Sequence, residues 1–201
     1  MRKISISDRI IFLITAHVAG IKIVSGMEHH SVLSTSAYTI AFGVLVLASI
    51  MLLLFGFILL ENPFMPVIST LIPMMLSLGL VQDYIPGMIK SYTLLISVLY
   101  LISIYARFRA TPKTAALVLA IVHGVSGLLL VVMPLVLYFV YGLPARILFI
   151  SLAGLVIGVE GSLLAVQKLN FIKIDQNRIL AFLPGMLLIS TAGFVAGLNI
   201  N

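Results

Sequence analysis

Residues 45–60 read Leu-Val-Leu-Ala-Ser-Ile-Met-Leu-Leu-Leu-Phe-Gly-Phe-Ile-Leu-Leu, an uncharged run in which Ser49 is the one polar side chain. A strand of a membrane barrel alternates lipid-facing apolar residues with polar ones, and this stretch does not alternate. It extends upstream to about residue 34, long enough for a helix that crosses a hydrocarbon core, which takes roughly 20 apolar residues. The rest of the chain has the same character. Of 201 residues, 62% are hydrophobic and 9% are charged, with a mean hydropathy of +1.25. A soluble domain carries about a quarter charged residues and needs them on its surface to stay dispersed. A water-soluble globular fold is therefore excluded, and the composition predicts an all-α integral membrane protein in the cell membrane.

Charge, proline and glycine divide the chain into seven apolar runs, at residues 6–26, 34–60, 64–82, 88–106, 114–141, 146–167 and 178–199. Nearly every residue is used, which predicts one transmembrane domain over residues 1–201 with antiparallel neighbours and no soluble domain. Met1-Arg2-Lys3 before an apolar run is the pattern of a signal peptide, but no small-residue cleavage site follows, so the run is read as a retained first span. The N-terminus and alternate loops hold nine basic residues, Arg2, Lys3, Arg9, Arg107, Arg109, Lys113, Lys168, Lys173 and Arg178, against Lys22, Lys90 and Arg146 on the other side. The positive-inside rule then predicts a cytoplasmic N-terminus and an outer C-terminus. Tyr38, Tyr84, Tyr92, Tyr138 and Tyr141 fall near the outer interface, which suits their amphipathic rings.

Small residues at helical spacing predict close packing late in the chain: Gly154, Gly158, Gly161 and Ala165 on the sixth span, Gly193 and Gly197 on the seventh, and Ala116, Ala120 and Gly127 around His123 on the fifth. A faint internal repeat accompanies them. Gly43 and Gly154, and Pro73 and Pro184, are each 111 positions apart. The paired spans share an orientation, which predicts a parallel repeat of three spans, a linker span and three spans, an arrangement found in transporters.

Ionisable groups inside a bilayer are expensive and mark function. His17, His123 and Glu160 each lie roughly 12 to 15 Å from the cytoplasmic boundary at a rise of about 1.5 Å per residue, and Gln167 lies two turns closer to the cytoplasm than Glu160. Histidine titrates near neutrality and a desolvated carboxylate resists ionisation, so this layer predicts a proton or cation site. Two histidines at one depth also fit the axial ligands of a single haem b, with Gly20, Gly124 and Gly127 leaving room for the macrocycle. A third possibility is that the layer only fixes helix register in a structural subunit. Outside the membrane, Glu28, His29, His30 and Asp83 supply imidazole and carboxylate for a divalent metal.

Gly124-Val125-Ser126-Gly127 resembles the nucleophile motif of rhomboid-type serine proteases over four residues, but no histidine follows His123 to activate the serine. The chain has no cysteine, no glycine-rich phosphate loop and no paired metal-ligand helix motif, which leans the reading away from an enzyme. The expected partners are the lipid bilayer and other membrane subunits or a second copy of the chain, with no nucleic acid.

Overall fold

A computed structural model describes residues 2–26, 30–169 and 175–199, with the side chains of Glu160 and 164–169 outside the described part. Among the described residues the secondary structure is helical without strands. The helices are α1 (Ile6–Val24), α2 (Val32–Phe55), α3 (Phe64–Ser69), α4 (Leu71–Tyr84), α5 (Ile89–Arg109), α6 (Pro112–Phe139), α7 (Leu148–Leu169) and α8 (Gln176–Gly197). Short 3-10 turns extend α2 over Gly56–Glu61 and precede α5 and α7 at Pro86–Met88 and Ala145–Ile147.

Local chemistry sets the ends of these helices. Ser5 caps α1 in a reciprocal box with Asp8, Ser31 caps α2 through the Ser34 amide, and Thr111 followed by Pro112 starts α6, each satisfying amides that a first helical turn leaves free. Gly56 ends α2 at φ 70, a conformation costly for any residue with a Cβ. The expected 64–82 span is broken at Thr70 into α3 and α4, because Pro73 brings no amide to the Ser69 carbonyl one turn earlier.

Among the described residues six helical segments are long and apolar enough to cross a membrane: Val32–Glu61, Phe64–Tyr84, Pro86–Arg109, Pro112–Phe139, Ala145–Leu163 and Gln176–Gly197. The first helix, 19 residues long, falls short of that composition because Asp8, Arg9 and Lys22 lie within it.

Packing follows the chain. α1 lies against α2 and α8, α2 against α4, α4 against α6, α6 against α7, and α7 against α8, which closes a ring of six rods; α5 lies outside it, on α4 and α6. One apolar core fills the ring, with Phe12, Phe42, Leu45, Leu76, Leu130, Ile150, Leu180 and Phe194 from all six. Of the buried residues of α5, Tyr92 and Ile96 join a separate cluster with Ala37, Met74, Leu78 and Val122. Large apolar side chains such as Leu47, Leu94, Leu101, Leu128 and Phe182 point outward, as they do when lipid rather than water surrounds a bundle.

The expected small-residue stripes are used in part. A Cβ at Gly154 would press on Leu130, one at Gly193 would lie 2.9 Å from Ala153, and one at Gly197 would lie 2.4 Å from Ile150. Gly158 and Gly161 meet nothing within contact distance.

Candidate functional site

Among the described residues the densest polar cluster lies at the C-terminal end of α4 and centres on Asp83. The Tyr38 hydroxyl donates to Oδ2 at 2.8 Å, His30 Nδ1 stands 2.7 Å from the same oxygen, and the Ser34 hydroxyl donates to Oδ1. Ser31 bonds Ser34 in turn at 2.9 Å. Tyr38 is fully buried, and its ring occupies the place of a side chain on α4: a Cβ added to Gly79 would fall 2.2 Å from Cε1. The His30 ring stands edge-on to Tyr38, with centroids 5.2 Å apart. Asp83 thus joins the first turns of α2 and the segment before it to the end of α4, with its oxygens engaged by three donors.

Of the four residues expected to hold a metal, His30 and Asp83 are brought together, while Glu28 and His29 lie outside the described residues. Among the described residues no three His, Asp or Glu side chains converge as a metal would need. The sequence does not mark Ser34 and Tyr38 as partners of Asp83, because residues 31–39 hold several hydroxyls and nothing there says which of them meet an acid 45 to 49 positions away.

His17 and His123 do not share an interior. His17 lies on the exposed face of α1 with Leu13, Ile14, Ile21 and Val24, opposite the buried face of Asp8, Phe12, Thr15, Ala16, Ala19 and Lys22. It lines an open groove of about 460 Å³ with Ala16, Gly20, Ile21, Val24 and Ser25. His123 is half-buried on α6, and its Nδ1 lies 3.2 Å from the Leu119 carbonyl one turn earlier. Since α1 packs on α2 and α8 while α6 packs on α4, α5 and α7, the two imidazoles do not fit as paired axial ligands of one haem within a chain. Equal depth fixed neither rotation nor neighbourhood.

Glu160 and Gln167 belong to α7, and their side chains lie outside the described part. The backbone register is clear nonetheless. Ser151 donates to the Val131 carbonyl at 2.7 Å, and Gly154 abuts Leu130. Continued along the antiparallel pair, that register sets residue 160 level with residues 122–125 of α6, the level of His123.

Polar clamps also close the two ends of the ring between α1 and α8. At the N-terminal end, Arg2 bonds Asp8 at 3.0 Å, covers the Phe57 ring with its centroid 5.4 Å away, and donates to the Leu180 carbonyl at 2.9 Å. That carbonyl is free because residue 184, which would supply its helical amide, is Pro184. Ile4 packs against Gly56 beside it. At the opposite end, Lys22, only 3% exposed, donates to the Asn199 side-chain oxygen, while Arg146 holds the Asn199 carbonyl at 2.6 Å. The sequence assigned Arg2, Lys22 and Arg146 to topology alone; a long cation near a helix end takes orphan carbonyls as readily as headgroups.

No protein-family model, curated protein or solved structure matches the chain, so its functional reading rests on this geometry.

Proposed function

We propose that the protein is a seven-span component of the cell membrane, N-terminus in the cytoplasm and C-terminus outside, that moves protons or cations between two three-helix halves. The observation that carries the reading is the packing order: α1, α2 and α3–α4 pack in sequence, α6, α7 and α8 pack in sequence, and α5 lies outside both. Two like-oriented halves around an axis along the membrane normal are a transporter architecture whose sites lie near the midplane between repeats. Counting α1 as a span is supported by its length, about 28 Å at 1.5 Å per residue, against a core of roughly 30 Å. Its charges also sit at its two ends, with Asp8 engaged by Arg2 and Lys22 by Asn199.

In this reading His123 and Glu160, level on adjacent helices, carry the proton or cation, and Gln167 extends the polar path toward the cytoplasm. The test is flux into liposomes containing the purified protein under an imposed proton or cation gradient. Glu160→Gln and His123→Gln are each expected to abolish flux while the protein still elutes as a folded species. Wild-type flux in both variants removes these residues from the mechanism.

One observation favours a second reading, a structural subunit of a membrane complex. His17 sits in the middle of an otherwise apolar outward face, where an imidazole in contact with lipid is unfavourable and a partner helix would cover it. Membrane proteins that co-purify with the wild type and are lost in His17→Leu would establish that reading.

A further inference from the structure

The two halves meet along two seams, α4 against α6 and α8 against α1, and the seams are built differently. The α4/α6 seam is bridged along its length by α5, which packs on both helices. From α5, Tyr92 donates to Ser77 of α4 at 2.7 Å, while Ile96 shares a buried cluster with Val122 of α6. The α1/α8 seam has no such splint. Its polar ties lie at its ends: Arg2 to the Leu180 carbonyl at one, and Lys22 to the Asn199 side chain at the other. Between these ties the buried residues of the two helices include Ala16 and Ala19 on α1 and Leu183, Leu187 and Phe194 on α8, and the buried hydroxyls there, Thr15, Ser190 and Thr191, each bond a carbonyl of their own helix one turn back and tie nothing across the seam.

We propose that the α1/α8 seam is the opening edge of the bundle, with Lys22–Asn199 as its outer lock and Arg2–Leu180 as its inner lock, while the α4/α6 seam under α5 is the hinge. The proposal rests on the two-halves reading above and adds the moving part. Each lock is made for release. Arg2 takes a carbonyl that Pro184 leaves without a helical donor, so opening costs that carbonyl one hydrogen bond and breaks no helix. Lys22 bonds a neutral side-chain amide rather than a carboxylate, and Arg146 holds the backbone carbonyl of the same Asn199 from the same half. Both locks are closed in this structure, which is the occluded arrangement; transport requires that they open in turn.

The chain has no cysteine, so single cysteines report opening directly. Ala19→Cys lies one turn from Lys22 on the buried face of α1, and Leu183→Cys lies one turn from Leu180 on the buried face of α8. Each is probed with a membrane-impermeant maleimide, added from either side of oriented vesicles containing the full chain. Lys22→Met is expected to raise labelling of Ala19→Cys from the outer side by about tenfold, the scale of one lost hydrogen bond to a charged group, and to leave Leu183→Cys protected. Arg2→Met is expected to do the reverse from the inner side.

Asn199→Leu, which removes the same bond from its other partner, reproduces Lys22→Met and carries the outer arm if the lysine variant fails to fold. Lys22→Arg and Arg2→Lys retain a donor and stay near the wild type. Labelling that rises equally at both ends, or at neither, overturns the proposal. Flux is measured in the same vesicles. End-specific labelling without flux keeps the locks and refutes transport, whereas flux without end-specific labelling keeps transport and refutes the locks.

Discussion

Tyr38 and Gly79 form one fitted pair, a fully buried ring lying where the next residue type up from glycine would place its methyl. Gly79→Ala is expected to cost about 1 to 3 kcal/mol by overpacking, read as a lower thermal midpoint in detergent; an unchanged midpoint would mean that the ring is free to move. The hydroxyl at the far end of the same ring bonds Asp83. Tyr38→Phe should cost about 1.5 to 3 kcal/mol, the range for hydrogen bonds to charged groups. Combined with Asp83→Asn it should cost less than the sum of the two, and strict additivity would show that the pair is not coupled. The sequence suggested the neighbourhood of His30 and Asp83, as part of a metal set with Glu28 and His29, but not the Ser34 and Tyr38 bonds to the carboxylate, which depend on α2 and α4 packing with the ring of Tyr38 between them. That fit is a property of two surfaces and not of either sequence.

At the scale of the helix, apolar runs are easily read and rotations are not. The helical character of the chain, and segments apolar enough to cross a membrane, follow from continuous runs that leave no alternative. The interruptions at Gly56 and Thr70 were missed because each sits inside an apolar run, where a backbone change leaves hydropathy untouched. Depth along a helix is likewise a count of residues, whereas the direction of a side chain depends on what packs alongside. This is why His17 and His123 share a depth and not a cavity. His17 touches no part of the core, so His17→Leu is expected to change the stability of the isolated protein by no more than about 0.5 kcal/mol, as surface changes do. A larger loss by denaturation in detergent would place His17 in an interior contact.

At the scale of the whole molecule the packing sorts the helices into two consecutive threes with α5 aside. The halves are joined covalently only through the α5–α6 connection at Ala110 and Thr111. A chain cut between these two residues and expressed as two pieces is therefore expected to reassemble into a complex that co-purifies and melts as one unit. Pieces that accumulate separately would mean that the seams do not suffice to hold the ring.

The position of α5 has a consequence for how such a molecule can arise. A unit of three rods begins on one side of a membrane and ends on the other, so two such units joined directly must run in opposite senses. One additional crossing restores the sense, and it has to be accommodated somewhere without breaking the ring of the other six. In the two-halves arrangement proposed above, α5 supplies that crossing on the outside, where it contributes least to the core. Its place there is a matter of parity: an even–odd correction that lets the second three stand upright beside the first.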